Sequence, residues 1–204
     1  MAFNTKSLTD FKSKLAGGGA RPNLFEVQLP AFPDAIKEAW RSSDSGEAGI
    51  MQFMCKATNL PASTVNPVNV PFRGRQLKVA GERTIDPWTV TIINDEDFKL
   101  RTAFERWANV MSKLDDATGV TNPTSYMTDA YVYQLGRGKE KFSEKNKGGS
   151  SSKLRSYRFY DIWPSAVSPI DLSYDVDNTI EEFTVEFQVQ WFTIGEKDDG
   201  PEVR

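Results

Sequence analysis

From Asn178 to Phe192 the chain reads NTIEEFTVEFQVQWF, and its apolar and polar side chains alternate. Phe183, Val185, Phe187, Val189 and Trp191 fall on one side; Glu182, Thr184, Glu186, Gln188 and Gln190 fall on the other. Successive strand side chains point to opposite faces, so the pattern predicts a strand with one dry face and one wet face. Each large apolar side chain buried there contributes roughly 1.5–3 kcal/mol, enough for this strand to anchor a core. The wet face carries acids and amides, with no lysine or arginine of its own.

The same period, punctuated by proline, glycine and asparagine, predicts further strands at 24–29, 50–58, 70–79, 84–93, 129–135, 154–163 and 167–174. Ala80-Gly81-Glu82-Arg83 reads as a tight turn joining 70–79 to 84–93, with Gly81 supplying a positive φ. Arg73, Arg75, Lys78 and Arg83 make that hairpin basic. Pro87 gives a ladder no donor, which puts the start of the second strand at an edge or a bulge. Pro164 is expected to end the aromatic strand, and 175–178 to form the turn into the alternating one.

Between these strands the period changes once. Phe98, Leu100, Ala103, Phe104, Trp107, Val110, Met111 and Leu114 recur at three and four residues, which predicts an amphipathic helix over about 94–114. Asn94 is its expected N-cap, and Asp95, Glu96 and Asp97 suit the positive end of the helix dipole. The helix is one-faced and so covers a sheet, with Phe104 and Trp107 joining the core.

Three stretches read differently. Residues 1–19 hold a short helical pattern, Leu8, Phe11 and Leu15, ended by Gly17-Gly18-Gly19. This reads either as a frayed terminus or as an arm that docks on a neighbour. Residues 30–49 are polar, with Ile36 and Trp40 one helical turn apart. Residues 136–153, GRGKEKFSEKNKGGSSSK, read as a loop that is either solvated or in contact with an acidic partner, and 194–204 as a polar tail.

Composition narrows the chemistry. The 204 residues include no histidine and one cysteine, Cys55. That excludes a Ser-His or Cys-His nucleophile, an imidazole relay, a tetrahedral nitrogen–sulfur zinc site and an internal disulfide framework. The net charge of −3 gives no bulk attraction to nucleic acid. No uninterrupted apolar run is long enough to cross a bilayer, and the N-terminal residues lack the apolar stretch of a secretory signal.

Acids gather late in the chain: Asp171, Asp175, Asp177, Glu181, Glu182 and Glu186. Glu182 and Glu186 share the wet face but lie about 13 Å apart, too far for a glycosidase pair. Asp175-Val176-Asp177 starts like a calcium loop but lacks the glycine at the sixth position and the glutamate at the twelfth. The five tryptophans could stack on sugars, although core packing is the commoner fate of such residues in alternating strands. No catalytic residue, metal ligand or cofactor site is assigned.

Read in order, Ala20-Arg21-Pro22-Asn23-Leu24-Phe25, Cys55-Lys56-Ala57-Thr58-Asn59-Leu60-Pro61-Ala62, Val79-Ala80-Gly81-Glu82-Arg83-Thr84, Trp88-Thr89-Val90-Thr91, Asn94-Asp95-Glu96, Trp163-Pro164 and the 175–192 strand form a set. This set resembles the tail tube proteins of contractile-tailed, T-even-type bacteriophages. The likeness runs from about residue 20 to 192. Residues 30–49, 136–153 and the stretch after Phe192 look longer than in the best-known members.

The resemblance implies a mainly β, antiparallel sandwich or barrel-like domain over 20–193 with one flanking helix, related in architecture to the tube subunits of type VI secretion systems. It implies hexameric rings stacked into a hollow tube inside a contractile sheath, in the virion tail, assembled in the host cytoplasm. The implied partners are further copies of the chain, the sheath, baseplate and tail terminator proteins, and the tape measure protein and genomic DNA passing through the bore; no membrane is implied. On that reading Glu182, Thr184, Glu186, Gln188, Gln190, Thr89 and Thr91 line the bore. Arg73, Arg75, Lys78, Glu82, Arg83, Asp175 and Asp177 are candidate subunit contacts. A baseplate initiator or tail cap protein is the second reading of the same kind. A soluble β-sandwich carbohydrate-binding module or glycosidase is the competing class.

Overall fold

The computed structural model describes residues 19–30, 54–139, 151–175 and 177–195, together with positions 8, 11, 12, 32, 33 and 36. The chain is mainly β. Its strands are β1 (Phe25–Gln28), β2 (Cys55–Thr58), β3 (Ser63–Phe72), β4 (Arg75–Ile85), β5 (Trp88–Ile93), β6 (Thr128–Lys139), β7 (Ser151–Val167), β8 (Glu182–Gln188) and β9 (Trp191–Gly195). One α-helix, α1 (Lys99–Met111), and a short 3-10 turn (Pro123–Ser125) lie between β5 and β6. The residues form two compact units: Val27–Ala130 with Arg158–Thr193, and Met1–Glu26 with Tyr131–Tyr157 and Ile194–Arg204.

In the larger unit β7, β8, β5 and β2 lie side by side, each pair antiparallel. Phe183, Val185 and Phe187 of β8 and Trp88, Val90 and Ile92 of β5 are buried, as their alternation predicts. Helix α1 lays Leu100, Ala103, Phe104 and Trp107 on that apolar face. Phe104 meets Phe183 and Phe187 edge-on at 6.4 and 5.8 Å, and Trp88 stacks on Phe187 at 5.1 Å. Such pairs are worth about 0.5–1.5 kcal/mol each beyond the area they bury.

The alternating strand is shorter than its pattern. It stops at Gln188, and Asn178, Thr179 and Ile180 lie outside it. The chain bends at Gln190 and resumes as β9 with its phase slipped by one. Phe192 then turns inward against Phe159, with ring centroids 6.1 Å apart. Trp191, expected in the core, is 49% exposed, and Val189 is only half-buried.

The expected hairpin turn is also displaced. The ribbon is β3 with β4, and its turn is Arg73-Gly74, at φ 43° and 80°. Positive φ at both central residues is the mark of the hairpin turns that match strand twist. Gly81 lies inside β4 at a bulge opposite Asn66, where a Cβ would sit 2.6 Å from the Asn66 carbonyl oxygen. Gly81 does not take the expected positive φ; glycine is required there because the Asn66 backbone approaches too closely for a Cβ. Pro67 and Pro71 lie within β3, which masks it as a strand.

Helix α1 starts at Lys99 and not near residue 94. Phe98, at φ 52°, stands at its N-cap without a side-chain hydrogen bond. Asn94 is instead buried; its N–H donates to the Glu181 carbonyl at 2.9 Å and its Nδ2 to the Glu181 carboxylate at 3.0 Å. It ties the end of β5 to the approach to β8. After Ser112 the chain folds back, with Val120 N–H donating to Val110 O at 3.0 Å.

β7 does not end at Pro164; it continues through a bulge between Pro164 and Ala166 to Val167. Residues 168–175, expected to hold most of a strand, form none. β6 runs on to Lys139 and β7 begins at Ser151, so strands take both ends of the stretch read as a loop, and 140–150 lie outside the described residues. Leu8 and Phe11 are helical and exposed, and Ile36 is buried; Leu15 and Trp40 lie outside the described residues, as do 50–53 of the second expected strand.

In the smaller unit Leu135 N–H donates to Leu24 O at 2.9 Å, and Gln134 Nε2 donates to the carbonyls of Arg21 and Leu24 at 2.7 Å. The rings of Tyr131 and Tyr133 stack at 6.2 Å, and Lys153 Nζ lies 3.6 Å over the Tyr133 ring.

Candidate functional site

Residues directly opposite on paired strands share a face, so the register of β5 on β8 decides what the polar face contains. Thr89 is opposite Glu186, Thr91 opposite Thr184, and Ile93 opposite Glu182. Gln188, opposite Trp163 of β7, extends the same row. Six of the seven candidates, Glu182, Thr184, Glu186, Gln188, Thr89 and Thr91, therefore form one continuous face. Gln190 does not join them: it sits at the bend after β8, exposed.

The face is internally bonded. The hydroxyls of Thr91 and Thr184 are 3.5 Å apart. Gln188 Nε2 donates to Ser165 Oγ at 3.2 Å, and that hydroxyl donates to the Glu186 carbonyl at 3.1 Å. Beside Thr184 the Ser168 hydroxyl accepts from the Thr184 N–H at 2.8 Å, while Arg101 of α1 donates to Ser168 O at 2.7 Å. The helix thus holds the C-terminal end of β7 as well as covering the sheet's apolar side.

Lysine enters the face from a different strand. Lys56 of β2 forms an ion pair with Glu182, two strands away. Its side chain is 52% exposed and that of Glu182 35% exposed. A pair so open to water adds little stability, and its main effect is to offset one of the two acids. What sequence could not supply was that β2 lies next to β5. Cys55, its neighbour, keeps a protonated thiol: burial pushes it up to about 12. The thiol donates to Ala57 O at 3.6 Å.

The contact candidates lie elsewhere in the same unit. Arg73, Arg75, Lys78 and Arg83 line the turn and second strand of the β3–β4 ribbon, every residue of which is exposed except Gly81 and Ile85, which are half-buried. Val68 is opposite Val79, Val70 opposite Leu77, and Phe72 opposite Arg75, so the ribbon has one apolar face. Its large apolar side chains are 43–64% exposed. Arg73 holds its guanidinium 5.3 Å over the Phe72 ring. Asp175 and Asp177 lie on an exposed segment, and among the described residues no ion pair joins them to the ribbon within one chain.

Residues 20–194 match the family model of phage tail tube proteins. The tail tube protein gp19 of Enterobacteria phage T4 is 30% identical over 177 residues, covering 87% of this chain and 93% of that protein. The tail tube protein of Serratia phage KSP90 is 18% identical over 184 residues, covering 89% and 93%. Among solved structures, the fold is similar to a chain of the anti-feeding prophage cap, at a TM-score of 0.56 and 13% identity over 87% of this chain and 91% of that one. It is likewise similar to a chain of the PVC extracellular contractile injection system sheath–tube complex in its extended state, at 0.53 and 9% identity over 90% and 97%.

Proposed function

Because this chain belongs to the phage tail tube protein family, we propose that it polymerises as stacked hexameric rings into the tail tube, with the polar face of β5 and β8 turned to the bore. The tube is the channel for genome ejection inside a contractile sheath. The observation that carries the orientation is the division of one sheet: helix α1 and the aromatic core cover one side, and hydroxyls, amides and acids occupy the other. Gln190 stands outside this assignment.

A bore of that kind suits passage without binding. Rows of cations would hold phosphates by releasing their counterions, whereas hydroxyls, amides and acids do not. With Lys56 set against Glu182, the acid left without a cation on the face is Glu186, repeated six times around each ring on this reading. The tape measure protein and then the genome pass along it. The sheath, baseplate and terminator meet the outside and ends of the tube. The family is structural, and no catalytic role is assigned.

A tube-end protein, either a baseplate initiator or a cap, is the second reading, favoured by the likeness to the anti-feeding prophage cap chain. Negative-stain imaging separates the two. The purified protein is expected to form rings or open-ended tubes. Binding to tube ends without polymerisation would select the tube-end reading. A strictly monomeric species at every concentration, with or without sheath and baseplate proteins, would sink both.

A further inference from the structure

Two exposed surfaces of the larger unit are unexplained by a covered core and a polar bore. One is the apolar face of the β3–β4 ribbon. A two-stranded ribbon is marginal in water unless a face is covered. Phe72 and Leu77 are 64% and 63% exposed. Four cations, Arg73, Arg75, Lys78 and Arg83, accompany a single acid, Glu82, and among the described residues none of the four has an ion-pair partner.

The other surface is the segment between β7 and β8. It contains no lysine or arginine from Ser168 to Glu181. Asp171, Asp175 and Asp177 alternate there with apolar side chains that touch nothing of weight: Leu172 is 80% exposed, Ile180 68%, and Tyr174 fully exposed. A solvent-facing tyrosine and leucine ringed by like charges is the composition of an interface anchor, and tyrosine is enriched at such hot spots.

The structure assigns these two surfaces to each other across subunits: the acidic segment between β7 and β8 of one copy, residues 169–175 and 177–181, docks on the apolar face of the β3–β4 ribbon of a second copy, at the turn end where Arg73 and Arg75 lie. This rests on the tube reading above. The ribbon has an excess of three cations, with Arg73 and Arg75 at the turn end of its apolar face, and the segment carries four acids, three of them exposed aspartates, so the two surfaces are of opposite sign. Each surface also offers the apolar area the other lacks a cover for. Because plug and socket are different parts of one chain, the contact is heterologous and repeats from copy to copy, as a growing tube requires. A partner such as the sheath would need only one of the two surfaces.

The test uses the full chain in two reversed forms, R73E/R75E and D171K/D175K/D177K. All five positions are exposed, and unchanged circular dichroism and melting show that each variant is folded. Alone, each is expected to lose pelletable rings or tubes by about tenfold or more, because like charges then face one another. Mixed in equal amounts they are expected to co-assemble, since an acidic ribbon now meets a basic segment and a basic ribbon an acidic one. Loss of tubes with rings retained would place the contact between layers, and loss of rings would place it within a layer; both support it. Wild-type tubes together with unimpaired assembly of either variant, or a mixture of folded variants that fails to recover, would overturn the contact alone. Wild-type protein that forms no assembly under any condition would overturn the tube reading and this contact with it.

Discussion

Glu186 has no ion-pair partner among the described residues, whereas Glu182 is held by Lys56. Replacing Glu182 therefore also leaves Lys56 without its partner, whereas replacing Glu186 changes the charge of the polar face alone. Glu186→Lys is expected to leave tubes assembling and to slow genome release, measured as DNA ejection kinetics; normal ejection would remove β8 from the bore. Cys55 gives an independent check on the sheet edge. Its thiol, pushed up to about 12 by burial, stays protonated where a free cysteine ionises. Alkylation at pH 8–9 is expected to run at least about a hundredfold slower in the folded protein than in the unfolded chain. The sign for stability follows: above the ordinary thiol value of 9.0 the unfolded chain ionises while the folded one does not, so stability falls as pH rises from there toward about 12. Folded and unfolded protein reacting at the same rate would show that β2 leaves Cys55 open.

Helix α1 ends in a turn that depends on one small residue. Gly119 packs on the last helical carbonyls so closely that a Cβ would lie 2.0 Å from Met111 O. Gly119→Ala is expected to destabilise the fold by about 1–3 kcal/mol, read from urea melts, since backbone and not a flexible side chain would have to yield. A neutral substitution would mean that the turn relaxes freely. The glycines also show where local sequence stops being informative. Gly81 and Gly74 carry the same signal, and only the pairing of β4 with β3 makes the first a bulge and the second a turn. Asn94 likewise looks like a cap, because its demand for a hydrogen bond is visible locally; Glu181, the group that meets the demand, is distant in sequence.

For the whole molecule, burial was the legible quantity. Phe183, Val185 and Phe187 had to face inward whatever lay against them, and so did the Phe104 and Trp107 stripe of α1. Trp191 was illegible because its apolarity matched the running pattern; the slip of phase at the bend comes from Phe192 packing on Phe159 of another strand. The polar row was readable along β8, and its extension across Thr89 and Thr91 depended on a register that only the paired strands reveal. Family membership came from ordered motifs spread over most of the chain, which is why it was firmer than any single turn or cap.

The prolines of β3 bear on what happens before any tube exists. Pro67, Asn69 and Pro71 alternate, so their backbone positions look the same way, and proline is compatible with the ladder where that way is outward. Over residues 67–71, two of the three outward amide donors are thus missing from the β3 margin of the ribbon. Newly made chains crowded together cannot zip along that margin into a cross-β stack, and their sticky side chains meet only broad-side, where shape and sign select the correct mate.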